Sequence, residues 1–273
     1  MQKKNTGLAK WAHRINIARI AGYVLLCLGA AALIVAVGYE SQILAFTGLG
    51  LVFWGIILAY IQTSTFVKED LLDATALSSL ATINQLLQQA GYTAKAVYLP
   101  PKYFKDLDTC KAFIPKQDTG SLPTPEQIQE QENNLFIENP QGILLPPIGG
   151  ELTKLFEKTL ETSFTRIDLP YLQQNMPKLF IEELEIAQNL EIEKKDNTIR
   201  VRVENTNYTY LAKKASALLQ MFQSLGCPLS SAIACSLAKT TGKPVIIDSL
   251  QTSENGKNIN MVFRLLEEEQ AEQ

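Results

Sequence analysis

The chain has 273 residues, with 25 Lys and Arg, 28 Asp and Glu, a single histidine and four cysteines; its mean hydropathy of +0.01 averages two unlike regions. Residues 20–61 contain no Lys or Arg, and setting aside Glu40 and the five basic residues before position 20 leaves 20 bases against 27 acids, a formal −7, in residues 62–273. So acidic a region has no phosphate-neutralising footprint for nucleic acid, and with His13 the only histidine there is no histidine-based triad or histidine-ligated metal centre downstream.

Five bases, Lys3, Lys4, Lys10, Arg14 and Arg19, occupy residues 1–19 with no acid among them. The next segments, IAGYVLLCLGAAALIVAVG over 20–38 and ILAFTGLGLVFWGIILAYI over 43–61, hold nine and eleven Leu, Ile, Val or Phe. At about 1.5 Å per residue each reaches about 28 Å, close to the roughly 30 Å hydrocarbon core. Together, residues 20–61 read as a transmembrane hairpin, and the base-free loop 39–42 after a basic leader places both chain ends of the anchor in the cytoplasm. Trp11, Ile15 and Ile17 among the bases fit either a topology determinant with an interfacial Trp or a short stretch lying along the headgroups. Gly48 and Gly55 are seven apart, and Ala32 and Ala36 make a small-xxx-small pair suited to close helix packing. Glu40 sits in the loop rather than at mid-membrane, which speaks against an ion pathway.

Residues 62–149 read as a stalk helix followed by a Pro-rich α+β segment. Ala76, Leu80, Ile83, Leu87 and Ala90 recur at helical spacing over 66–90, with Gly91 as the stop. A short strand is expected over 94–99, and eight prolines between Pro100 and Pro147 oppose long regular elements. Residues 135–138 and 143–145 are expected to pair around a type I turn at Asn139-Pro140-Gln141-Gly142, and 116–132 is expected to be polar and mobile.

Residues 150–266 are more regular. A helix is expected over 150–163, Asp168 suits an N-cap, and Asn175 with Pro177 is expected to open a helix reaching 188. A hairpin follows, 190–193 with 198–204, in which Ile199, Val201 and Val203 alternate with Arg200, Arg202 and Glu204. Helices over 209–225 and 229–240 are closed by Gly226 and Gly242, a second hairpin joins 244–251 to 258–266, and residues 267–273 form an acidic tail. The fold class is therefore a membrane-anchored α+β protein, its soluble domain built of antiparallel β-hairpins packed against helices, most simply as a four-stranded sheet covered on one face.

The run CPLSSAIACSLAKTTGKPVIIDSLQTSENGKNINMVFRLLE, preceded by FIEELEIAQNLEIEKKDNTIRVRVEN, resembles in order and length the hairpins and closing helix of the TRAPP-subunit and vinyl-reductase-type ligand-binding fold. The likeness covers residues 150–266 and is one of topology. The two-span anchor with such a tail also resembles uncharacterised archaeal membrane proteins. What the fold implies is an apolar ligand cavity, regulatory sensing, or assembly through the helical face. The vinyl-reductase-type domains carry paired cysteines near the last hairpin, and the final strands here have none.

Few residues spell out chemistry. Ser236 and Lys239 match the SxxK spacing in which a lysine one turn on deprotonates a serine, without the companion motifs, and Lys239 also suits the C-terminal end of a helix dipole. Cys227 and Cys235 are eight apart and read as buried structural thiols. Thr241-Gly242-Lys243-Pro244 lacks the first glycine of a phosphate loop. The acids Glu182, Glu183, Glu185, Glu191 and Glu193 read as solvated, paired weakly with Arg200 and Arg202. No cofactor and no metal site is expected. The expected function is a non-enzymatic, membrane-tethered cytoplasmic regulatory or scaffold module with an apolar ligand or a protein partner, self-association included. The alternative is a membrane-associated enzyme acting on a lipid-like substrate through Ser236 and Lys239 or the acidic residues.

Overall fold

The structure is a computed structural model, and it describes residues 6–60, 69–117, 122–131, 133–207 and 218–267. The chain divides into two compact units, Met1–Lys68 and Glu69–Gln273.

The first unit is a helical hairpin, α1 (Thr6–Gly38) and α2 (Gln42–Tyr60). Within it Ile20–Gly38 and Gln42–Ala59 are long and apolar enough to cross a membrane. The basic leader from Thr6 onward continues the first span as one 33-residue helix, about 50 Å at 1.5 Å per residue. The turn between the helices is tight. Tyr39 and Ser41 donate back to the carbonyls of Val35 and Ala36 at 3.1 and 3.2 Å, and Glu40 takes a positive φ of 50°.

Small residues set the spacing of the two helices. Gly22, Gly29 and Ala36 recur every seven residues along the buried side of α1, facing Gly48 and Gly55 on α2. A Cβ at Gly22 would stand 2.7 Å from the Ala59 nitrogen, one at Gly29 2.8 Å from the Val52 nitrogen, and one at Gly55 2.9 Å from the Leu26 nitrogen. The backbones therefore meet directly, as small residues at a helix–helix contact permit. Gly29→Ile is expected to push the helices apart and lower the thermal aggregation midpoint of the full chain in detergent micelles by several degrees. Gly50→Ile, whose Cβ meets nothing within 4 Å, is the matched control and is expected to change nothing.

The second unit is built on one eight-stranded, wholly antiparallel sheet of order β3-β4-β2-β1-β7-β8-β6-β5. Its strands are β1 (Val97–Leu99), β2 (Lys111–Pro115), β3 (Phe136–Ile137), β4 (Gly142–Leu145), β5 (Asn189–Lys195), β6 (Thr198–Glu204), β7 (Val245–Thr252) and β8 (Ile259–Leu265). The sheet has twice the expected four strands, because the Pro-rich segment supplies β1 to β4 to it. Those strands are short and apolar without alternation, since β1, β2 and β4 are covered on both faces. On one face Tyr98, Ala112, Ile114, Ile143 and Leu145 join the main core with Ile199, Val201, Val203, Met261 and Phe263. On the other, Val97, Leu99, Phe113 and Leu144 meet a smaller core of Tyr103, Phe104, Ile128 and Ile137. Ile246 of β7 and Leu266 extend this smaller core, and at the far edge of the same face β5 and β6 present Glu191, Glu193, Arg200 and Arg202 to solvent, in register.

Helices α3 (Glu69–Ala90), α5 (Gly150–Thr159), α6 (Leu169–Lys178), α7 (Leu219–Leu225) and α8 (Pro228–Thr241) bring side chains to the main core, while α4 (Pro125–Glu130) lies over the smaller one. Helix α4 falls where 116–132 reads as a mobile stretch. It forms because Thr124 and Gln127 close a capping box behind Pro125 at the first helical position. Asp168 caps α6 as expected, accepting the Tyr171 N–H at 3.0 Å. Pro177, expected to open a helix, lies inside α6, which runs on into a wide turn over Leu179–Glu183. The connection before β4, where a type I turn is expected, carries a cis Asn139–Pro140 peptide bond. Of the helix expected over 209–225 the part 219–225 is α7; its first nine positions, 209–217, and all but Glu267 of the acidic tail lie outside the described residues.

A third segment, Leu219–Thr241, is also long and apolar enough to cross a membrane. It is 83% buried within the protein, against 17% and 11% for the two N-terminal spans. Its apolarity serves the core, and it is broken between α7 and α8 at Gly226, which has φ 74°.

Candidate functional site

Helix α8 is the axis of the second unit, and every residue from Leu229 to Lys239 is buried. Such a helix must pair its own polar groups, because an unpaired buried donor or acceptor costs about 1–3 kcal/mol. At its start the Cys227 sulfur accepts the Ser230 N–H at 3.4 Å, and the Ser230 hydroxyl accepts the Cys227 N–H at 2.8 Å. Pro228 follows at the first helical position, and Gly242 ends the helix at φ 64°. Ser231 accepts the Gly149 N–H at 3.1 Å. Thr153 of α5 donates to the Gly149 and Ala232 carbonyls at 3.1 and 3.2 Å.

Past these contacts α5, α8 and the start of β2 draw apart and leave a cleft of about 360 Å³. Asp106, Asp108 and Thr109 close one side of it, and Glu151, Thr153 and Lys154 of α5 line another. Asp106 accepts from the Asp108 N–H and the Thr109 hydroxyl, and these bonds hold its carboxyl below the usual carboxylate range. In the cleft wall Lys239 pairs with Glu157 at 2.6 Å, their side chains 5% and 14% exposed. The same Glu157 oxygen accepts the Phe164 N–H at 2.8 Å. Lys239 is thus a buried cation with one carboxylate to hold it, on the rim of the cleft.

Beside that pair stand two thiols. The sulfurs of Cys110, at the mouth of β2, and Cys235, one turn before Lys239, are 3.2 Å apart. Cys110 is half-buried, Cys235 is fully buried, and both border the cleft. Burial, then the hydrogen bond from Cys110, raises the Cys235 thiol well above the usual cysteine range, so it is protonated at neutral pH. Below them Tyr98 is enclosed and donates to the Leu225 carbonyl at 2.6 Å; burial chiefly, with the neighbouring thiols, raises its phenol as well.

The residues singled out from sequence separate in space. Ser236 is fully buried and donates to the Ala232 carbonyl at 2.9 Å, one turn back on its own helix. No hydrogen bond joins it to Lys239 among the described residues, and the Lys239 ammonium goes to Glu157 instead. Cys227 and Cys235 do not pair: one caps α8, and the other faces Cys110. Glu191 meets Arg202 at 3.7 Å on the solvated face, with both side chains more than half exposed, a weak surface contact. Among the described residues no group of three or more His, Cys, Asp or Glu is placed to hold a metal. Cys110 and Glu157 had no sequence signal. Each acquires its setting from a residue at least 80 positions away, and nothing local marks either one.

A family model described as Domain of unknown function (DUF7982) matches residues 3–263. No curated protein and no solved structure matches the chain.

Proposed function

Since the chain belongs to the DUF7982 family over both of its units, we propose one role for the two together: a non-enzymatic, membrane-tethered regulatory module whose sheet unit binds a small polar molecule at the cytoplasmic surface. The observation that carries this reading is the cleft. It is a cavity bordered by a buried ion pair and by hydroxyl, carboxylate and ammonium groups of three separate elements. A few convergent polar groups in a concavity are the ordinary signature of a ligand site. The apolar space between α3, α7 and α8 amounts to only about 10 Å³, at the lower limit of what one water needs, so that space holds no apolar ligand. The five leading bases and the base-free turn support a cytoplasmic location for both chain ends of the anchor.

A Cβ at Gly150 would meet nothing nearer than Pro147 Cδ at 3.7 Å, and Gly150 lines the cleft. Gly150→Phe therefore puts a ring into the cavity without moving the backbone. With the full chain extracted into detergent and examined by native mass spectrometry, the expected result is a small polar adduct on wild type that is lost in Gly150→Phe. No adduct on wild type, or equal retention by both, would sink the proposal. Protease added to inside-out vesicles is expected to digest the sheet unit, whereas in right-side-out vesicles the unit stays protected.

A further inference from the structure

The cleft also holds a reactive pair that ligand binding does not require. Sulfurs 3.2 Å apart are separated by about 1.1 Å more than a disulfide bond of about 2.05 Å. The two residues differ in access. Cys110 sits half-buried at the start of β2, where the loop carrying Asp106 and Asp108 ends, while Cys235 is enclosed in the middle of α8. Partial exposure is what a thiol needs to meet an external reagent, and enclosure beside it is what a resolving thiol needs to be spared. The remaining downstream cysteine, Cys227, is engaged as the cap of α8 and does not compete for the bond.

We propose that Cys110 and Cys235 form a reversible intramolecular disulfide by exchange with a small-molecule disulfide admitted through the cleft. Cys110 loses its proton and its sulfur attacks one sulfur of the reagent RSSR. The S–S bond breaks, one RSH leaves, and Cys110 carries SR as a mixed disulfide. Cys235 then attacks the Cys110 sulfur, and its proton passes to the departing RS⁻, which leaves as the second RSH. Two thiols are oxidised, one external disulfide is reduced to two thiols, and no other reactant is needed. The product staples the mouth of β2 to the middle of α8 across 125 positions of chain, so it stabilises the folded unit and narrows the cleft. In a reducing compartment such bonds are transient and report redox state. The inference does not depend on the polar ligand, since a chain that binds none still closes the bond.

The test uses the full chain in detergent micelles, fully reduced and then incubated with glutathione disulfide. Denaturing alkylation is expected to find two free thiols of the original four, and peptide mapping to join residue 110 to residue 235. The intact mass falls by two hydrogens, dithiothreitol restores it, and the oxidised form melts at least about 5 °C higher, as closing a long loop implies. Cys235→Ser is expected to trap glutathione on Cys110 as a stable adduct, whereas Cys110→Ser leaves Cys235 unmodified. Cys227→Ser, which keeps a capping side chain, still closes the bond. Four free thiols in wild type after incubation, a bond to Cys27 or Cys227, or a glutathione adduct on Cys110 that never resolves would each overturn the proposal. The wild-type readings decide it even if a serine variant fails to fold. Absence of a polar adduct on wild type in native mass spectrometry, with the disulfide still forming, would reject the ligand reading alone.

Discussion

Gly149→Ala is expected to destabilise the sheet unit by about 3–5 kcal/mol, a large share of the roughly 5–15 kcal/mol that holds a domain folded. A Cβ there would stand 2.2 Å from the Pro228 carbonyl oxygen and 2.3 Å from the Ala232 nitrogen, both backbone atoms of α8. No side chain can rotate away to make room, so α5 and α8 must separate. Separation breaks the Gly149–Ser231 and Thr153–Ala232 hydrogen bonds, each worth about 1 kcal/mol, and opens a gap over Phe156 and Ile233 in the main core. The backbone at Gly149, φ −99° and ψ 9°, is open to alanine, so any loss must come from this contact and not from torsional strain. Hydrogen exchange on the full chain provides the measurement. Amides of α8 are expected to lose 100-fold or more of their protection in Gly149→Ala, as about 3 kcal/mol implies. Gly150→Ala, one position along with open space at its Cβ, is expected to change protection less than about threefold, within the ±0.5 kcal/mol typical of surface sites. Equal protection in wild type and Gly149→Ala would contradict this account of the α5–α8 contact.

Lys239→Met is expected to cost about 3–5 kcal/mol, because it leaves the Glu157 carboxylate enclosed without its cation. The Phe164 N–H, and Ser163 at 3.4 Å, still reach that carboxylate, but neither neutralises it. Glu157→Met should be as damaging in the opposite sense, stranding an ammonium that is only 5% exposed. The double variant should recover much of the loss, since an apolar pair of similar volume replaces a buried ion pair at little net cost. Full recovery is not expected, because Glu157 also satisfies the Phe164 N–H, a bond worth about 1 kcal/mol. A double-mutant cycle read by the same exchange experiment should therefore give a coupling of at least about 2 kcal/mol. Additive single effects would mean that Lys239 and Glu157 are held apart in solution.

Much of the fold was legible because its signals are local. The two spans announce themselves by apolar runs without a Lys or Arg, and the β5–β6 hairpin by the alternation of Ile199, Val201 and Val203 with Arg200, Arg202 and Glu204. Asp168 and Gly242 mark helix ends by chemistry that needs no tertiary partner. The β1–β4 half of the sheet was harder to read. Strands covered on both faces lose the period-two pattern, and β3 has only two residues. Gly48 and Gly55 on α2 and Gly22 and Gly29 on α1 share a spacing of seven, but only the packing brings the two pairs face to face.

The SxxK spelling at Ser236 and Lys239 shows where local reading ends. Spacing put them one turn apart on a helix, but it carried no information about which way each polar head turns. That was decided by the neighbours: the Ala232 carbonyl for Ser236, and Glu157 for Lys239. The sequence by itself determined the two long apolar helices, the charge asymmetry of the leader, the hairpin strands and the helix stops, each encoded within a window of a few turns. Only the tertiary structure brought Cys110 to Cys235 and Glu157 to Lys239, because those pairings arise when β2 and α5 pack on α8, across 125 and 82 positions of chain that no local periodicity spans.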